Sequence, residues 1–328
     1  MDLVEVVAAV GGLWGLDTTG WSVLRHGPAK TIRLPACDRV VHVSRPEVGP
    51  ERVIALQTAR ARLAESAVPT VDLVATRDGA TWTSIDGRAV EVERWVEHDG
   101  RMNTWQRLRA GAGLLARVHD AWADLDLGEA GEACSWANWL PPAETASGTD
   151  DAVRRLTAWG LHDLGADVAR LAELTGSHVD LPVQVVHGDF WDDNVYWLGE
   201  RIVAITDLDF LGRRPRIDDL ALMLHFADEQ PYFDGAGHRS AATRQRELAP
   251  LVHAYAAGLR APLLPEEIVA LPVALARQPL WTFAKWMLLE PDDRLARRDA
   301  LAAAGAVARA LEVVAEADRW AEALVPPA

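Results

Sequence analysis

The chain is poor in cysteine, in lysine and in long apolar runs, and each shortage closes off a class of protein. Cys37 and Cys134 are the only cysteines among 328 residues. They fall in no CxxC or Cys/His ligand spacing, which disfavours a disulfide framework and a zinc site and fits a reducing cytoplasm. No window approaches the ~18 uncharged apolar residues of a membrane span. The start, Met1-Asp2-Leu3-Val4-Glu5, has no basic segment leading into an apolar one. The expectation is a cytoplasmic protein, neither exported nor membrane-spanning. Basic residues number 33 against 48 acidic ones, a net charge of −15. That balance argues against nucleic-acid binding, which draws its affinity from lysine and arginine on phosphates, and it favours cationic ligands. Lysine occurs only at Lys30 and Lys285, an arginine bias of genomic kind that leaves Lys30 conspicuous.

What is present can bury a substantial core: 49% of the residues are hydrophobic and 25% charged, in a length natural for one or two domains. Up to residue 97 the chain reads as a small sheet-rich region. β-prone runs cover 21–24, 30–34, 39–44, 71–76, 81–85 and 89–95, punctuated by Gly27-Pro28 and Pro35, with a helix over 51–66. From residue 98 onward helical periodicity dominates, over 105–123, 151–175, 218–226, 244–259, 265–289 and 295–324, with 141–148 as a flexible connection. Most of the 14 tryptophans recur at helical or strand spacing and belong to the core.

The densest chemistry lies in the middle. Val183-Gln184-Val185-Val186 reads as a strand that delivers the chain into His187-Gly188-Asp189-Phe190-Trp191-Asp192-Asp193-Asn194, so Asp189 stands at a strand end. Runs 195–198 and 201–206, joined by Gly199-Glu200, form a hairpin. Pairing outward from its turn sets Asn194 across from the 205–207 end, where opposed residues lie about 5 Å apart. Asn194 and Asp207 are thus expected to share one mouth with Asp189. An amide oxygen and a carboxylate at that separation suit Mg²⁺ bound together with nucleotide phosphates. A nearby carboxylate can orient a hydroxyl and accept its proton. Asp192 and Asp193, inside the loop, fit solvated or loop-capping roles.

This segment resembles the catalytic core of the aminoglycoside phosphotransferase and choline kinase-like superfamily: His-Gly-Asp, four residues, Asn, then a hairpin ending in Asp. The resemblance implies an α+β, bilobal protein kinase-like fold. Its small β-rich nucleotide-binding lobe covers residues 1–97, and its larger, mostly α-helical catalytic and acceptor-binding lobe covers 98–328. It also implies that Asp189 is the catalytic base, that Asn194 and Asp207 hold the metal, and that His187 braces the loop. Asp209 matches a second acidic position, and Asp219 an Asp that ties the following helix to the catalytic loop. The run 114–119 resembles the helix preceding the active site, with His119 read as a packed helix residue.

The same match gives the nucleotide site. The segment 90–97 resembles the interlobe hinge, where backbone groups around Trp95 and Val96 face the base; an ordinary edge strand has the same pattern. His42 falls where a phosphate-binding Lys or Arg is usual, and the acid expected to pair with it falls near Leu56-Gln57. Pairing across the 35–38 turn sets Thr31 opposite His42 with Lys30 beside it, so Lys30 is a candidate replacement cation, against the plainer reading of a solvated lysine. Asp228 and Glu229, after the helix anchored by Asp219, and Glu290, with Asp292 and Asp293, after the aromatic run 281–286, are candidate acceptor-binding acids; a solvated turn after a helix has the same pattern.

The expectation is a small-molecule kinase that transfers the γ-phosphate of ATP, or of GTP, with Mg²⁺, to a hydroxyl of a cationic, amine-bearing metabolite or antibiotic. The competing expectation is a catalytically silent kinase-like binding protein, motivated by His42 and the missing acid. Neither base preference, acceptor nor oligomeric state is legible.

Overall fold

The structure is a computed structural model that describes residues 1–177, 180–233 and 237–326. The first elements are α1 (Leu3–Trp14), β1 (Ser22–Arg25), β2 (Lys30–Leu34), β3 (Arg39–Val43), α2 (Pro50–Glu65), β4 (Trp82–Ile85), β5 (Arg88–Arg94), β6 (Gly100–Arg101) and α3 (Trp105–Trp122). Then come α4 (Thr145–Ala158), α5 (His162–Thr175), β7 (Val183–Val186), β8 (Val195–Leu198), β9 (Arg201–Ile205), β10 (Gly212–Pro215) and α6 (Arg216–Phe233). The last are α7 (Ala241–Gly258), α8 (Pro265–Arg277), a π-helical turn Thr282–Trp286, α9 (Met287–Leu289), α10 (Asp293–Ala315) and α11 (Ala317–Leu324). Among the described residues no helix is long and apolar enough to cross a membrane.

Two compact units divide the chain. The first comprises Met1–Arg101, Asp126–Gly131 and Val195–Asp209, and the second Met102–Leu125, Glu132–Asn194 and Phe210–Ala328. In the first unit an antiparallel sheet runs in the order β1-β2-β3-β5-β4. Strand alternation sends Ile32, Leu34, Val41, Val43, Val90 and Val92 to one face, where Val6, Val7, Val10 and Trp14 of α1 cover them. Thr31 stands opposite His42, and His42 opposite Glu91. A second sheet, β6-β8-β9, carries the expected hairpin, with Val195 paired to Ile205. In the second unit β7 pairs antiparallel with β10, and the other described elements are helical.

The structure departs from the sequence expectations at six places. Helix α1 lies where no element was expected, because its four valines and Gly11-Gly12 weaken helical propensity; its signals are the caps, Asp2 accepting from the Val4 N–H at 2.9 Å and Gly15 at φ 70°. The single helix over 151–175 is two, broken where Gly160 adopts φ 75°. The helices over 265–289 and 295–324 are likewise interrupted, after Arg277 ahead of Pro279 and at Glu316. Residues 71–76 form no strand and make one antiparallel bridge, Leu73 to Glu93, while the connection at 141–148 is a 3-10 turn followed by α4.

Candidate active site

The loop after β7 is folded by its own backbone. Gly188 adopts φ 80°, and a Cβ there would lie 2.1 Å from both Arg214 Nη2 and the Phe210 carbonyl oxygen, so glycine is required. The carboxylate of Asp219, near the start of α6, accepts from the His187 N–H at 3.0 Å and the Gly188 N–H at 2.9 Å. His119 of α3 adds Nε2 at 3.0 Å and passes the network to the Tyr255 hydroxyl at 2.7 Å. Burial alone would raise the Asp219 pKa. The His119 hydrogen bond and the charges of His119, His187 and Arg214 hold it below the ordinary carboxylate value. His187 Nδ1 in turn accepts from the Asp189 N–H at 3.2 Å, and the His187 ring meets Phe190 edge-on.

The loop therefore delivers Asp189 in a fixed orientation. The Asn194 side-chain nitrogen donates to the Asp189 carbonyl and to its Oδ2, each at 2.8 Å. Asn138, in the segment before α4, donates its side-chain nitrogen to Asp189 Oδ1. Two neutral amides hold one carboxylate that is 5% exposed. With Nδ2 of Asn194 turned to Asp189, the atom of Asn194 able to ligate a metal is Oδ1, a hard oxygen. Asn138 was not expected. Only its spatial partner marks it, 51 residues away, so no local pattern could have found it.

In the first unit Asp207 follows β9 by two residues in the left-handed region, φ 61°, a conformation that commonly stores strain at functional sites. Its Oδ2 accepts from the Arg25 guanidinium at the end of β1. Asp209 forms an ion pair with His42 Nε2 at 3.3 Å, and its carbonyl accepts from Arg52 at 3.2 Å. Burial opposes the His42 charge, but Asp209, joined by Glu93 and Glu91, pushes its pKa up to about 10. His42 is therefore an imidazolium at neutral pH, and the position is cationic without a lysine. Gln57 of α2, near where the pairing acid was sought, donates to Glu91 at 2.6 Å. Lys30 Nζ donates to the Gly27 carbonyl within its own loop. The Trp95 N–H donates to the Asp38 carbonyl at 3.0 Å, with the Arg33 guanidinium 4.3 Å from the Trp95 ring centroid; Val96 follows, half-buried.

The three candidate acceptor acids are engaged elsewhere. Asp228 and Glu229 lie within α6, which continues past the expected end at residue 226. Asp228 is 4% exposed, with Arg244 and Arg239 each 2.7 Å from its carboxylate. Glu229 pairs with Arg309 of α10. Glu290 follows α9 and accepts from the Asp292 N–H at 2.9 Å. Among the described residues no group of three or more His, Cys, Asp or Glu is arranged to hold a metal on its own.

This chemistry agrees with the comparisons. Residues 33–251 match the phosphotransferase enzyme family, APH, and the chain belongs to that family. It is a small-molecule kinase of the class that phosphorylates an alcohol group. It is 29% identical over 252 residues to the homoserine kinase of Bradyrhizobium sp. strain BTAi1, covering 72% of this chain and 71% of that relative. Its fold is similar to that of a microcompartment-associated aminopropanol kinase, with TM-score 0.70, 18% identity, and coverage of 96% and 98%. It is equally similar to the amicoumacin kinase hAmiN, solved with AMP-PNP, Ca²⁺ and Ami, with TM-score 0.70, 11% identity, and coverage of 93% and 94%. The α+β, protein kinase-like fold expected from the sequence is the fold found.

Proposed function

We propose that the protein transfers the γ-phosphate of ATP, with GTP as the alternative donor, to the hydroxyl of a small amine-bearing metabolite. The observation that carries this reading is Asp189, a buried carboxylate held between the amides of Asn138 and Asn194 on a loop stitched by Asp219. So held, the Asp189 carboxylate is the group placed to take up a hydroxyl proton. As the acceptor oxygen bonds to the γ-phosphorus, its O–H proton passes to Asp189, and the bond from that phosphorus to the β-phosphate oxygen breaks, leaving ADP with the electron pair.

Asn194 Oδ1 and the Asp207 carboxylate are hard oxygen donors that fit Mg²⁺, an ion commonly held by one or two protein ligands plus phosphate oxygens. When bound, that ion supplies charge neutralisation on the transferred group. His187 and Asp219 hold the loop. On the nucleotide side the His42 imidazolium, held by Asp209, provides the cation that other chains take from lysine, with Lys30 at the adjacent loop. The segment around Trp95 and Val96 receives the base. Similarity to a homoserine kinase favours a metabolite over an antibiotic as acceptor.

The reading is tested by ADP release with ATP, Mg²⁺ and a panel of amino alcohols and hydroxy amino acids. Acceptor-dependent, chelator-sensitive release is expected. Metal-independent release, or none with any acceptor despite nucleotide binding, contradicts the assigned roles and favours the silent binding protein.

A further inference from the structure

Beside the Asp189 carboxylate the second unit assembles a group of polar atoms that the phosphoryl-transfer reading does not use. The segment 137–139 is clamped from two sides. Trp281 Nε1, just before the π-helical turn, and Lys285 Nζ, within it, approach the Ala137 carbonyl at 2.8 Å and 3.3 Å. Arg214 of β10 reaches the Asn138 carbonyl at 3.4 Å and the Phe210 carbonyl at 3.2 Å. A π-helical turn costs regular helical hydrogen bonding and is found disproportionately at functional sites. Here it carries Lys285, one of two lysines in the chain.

Three buried atoms of this segment make no hydrogen bond among the described residues: Asn138 Oδ1, Trp139 Nε1 and Arg214 Nε. Asn138 is 8% exposed and Arg214 1%. An unpaired buried polar atom is costly, and Trp139 follows Asn138 while the Arg214 guanidinium lies 5.4 Å from the Trp139 ring centroid, so a ligand that met these atoms would relieve the cost. Their chemistry is complementary to a zwitterion. Asn138 Oδ1 is an acceptor, fixed as such because its Nδ2 is spent on Asp189. Trp139 Nε1 and Arg214 Nε are donors. Lys285 is a half-buried ammonium with no carboxylate in ion-pair range among the described residues; burial and the Arg214 charge both lower its pKa, partly offset by Glu144.

Resting on the kinase reading above, we infer that Lys285, Trp139 and Asn138 form the acceptor subsite and select a hydroxyl compound carrying a carboxylate and an ammonium, a hydroxy amino acid rather than a simple amino alcohol. Lys285 and Trp139 take the carboxylate, and Asn138 Oδ1 takes an ammonium N–H. Because Asn138 also touches Asp189, recognition of the amino group sits one side chain from the proton acceptor. Lys285 is a specificity residue, acting on which acceptor binds.

The experiment compares kcat/KM for homoserine and for aminopropanol in wild type, Lys285→Met and Lys285→Arg, with Mg²⁺-dependent ATP affinity measured calorimetrically on each preparation. Wild type is expected to prefer homoserine. Lys285→Met is expected to collapse the homoserine-to-aminopropanol ratio by at least about 30-fold, mainly through KM for homoserine, and Lys285→Arg to keep most of it. A wild-type preference for aminopropanol, a ratio that survives Lys285→Met, or metal-dependent ATP binding with no turnover of homoserine overturns the subsite and leaves the kinase reading standing. Absence of metal-dependent ATP binding removes both.

Discussion

Asp189 and Asp228 are aspartates of the same unit, buried to almost the same degree, 5% and 4% exposed, yet built for opposite ends. Asp228 sits among arginines. Arg244 grips both its oxygens through Nε and Nη2 and Arg239 adds a further contact, so its charge is matched inside the protein. Asp189 is oriented by the amides of Asn138 and Asn194, and its charge acts on the buried Arg214. The difference teaches that burial alone does not mark a reactive carboxylate; the chemistry of its donors does. Arginines around Asp228 tie α6 to α7 through Arg244 and so build structure. On the proposed reading, the amides around Asp189 aim it at an incoming hydroxyl.

The comparison is broken most sharply by matched substitutions. Asp189→Asn is expected to cut turnover on the order of 10³-fold, about 4 kcal/mol of barrier, with ATP affinity and thermal stability near wild type. Steady-state kinetics beside a melting curve checks it, and an active variant would end the base assignment. Asp228→Asn should do the reverse. It strands guanidinium charge in the interior and is expected to cost about 3–5 kcal/mol in urea unfolding, with turnover per folded molecule largely retained.

Asp219→Asn sharpens the comparison from the structural side, since this carboxylate is held below its ordinary pKa while organising the catalytic loop. A depressed carboxylate contributes stability that is present above its unfolded value of 3.8 and is lost as pH falls through the lower folded value. The stability gap between wild type and Asp219→Asn should therefore narrow on acidification below about pH 4. A gap that is independent of pH excludes this linkage.

The smallest expected effect concerns His42. Its pKa, raised to about 10, gives stability that is full below the unfolded value of 6.5 and lost as pH rises through about 10. The wild-type advantage over His42→Gln should shrink across that window, and ATP affinity of the wild type should stay flat from pH 6 to 8. An affinity that falls around pH 6.5 would show an ordinary histidine there.

What was legible in the sequence was whatever spacing encodes. The loop from His187 to Asn194 and the hairpin to Asp207 are contiguous, and the strand register, Thr31 opposite His42 and Val195 opposite Ile205, follows from alternation and turn length. Partners that meet only through the fold were not legible. Asn138 reaches Asp189 across 51 residues, His119 reaches Asp219 across 100, and Arg244 reaches Asp228 from another helix. His42 and Asp209 were each singled out, yet nothing in their surroundings announced that they pair and thereby supply a cation. The acids Asp228, Glu229 and Glu290 drew attention because carboxylates after a helix or an aromatic run suit an ammonium group, whereas in the fold Asp228 and Glu229 answer arginines and Glu290 caps the chain at Asp292. Helix boundaries failed where one residue decides, at Gly160 and ahead of Pro279.

The most direct test is calorimetric titration of ATP and GTP, with and without Mg²⁺, into wild type and Asp207→Ala. Metal-dependent nucleotide binding in the wild type that is lost in Asp207→Ala is the predicted result. Binding that ignores the metal, or that survives the substitution, contradicts the central claim that Asp207 serves a kinase centre.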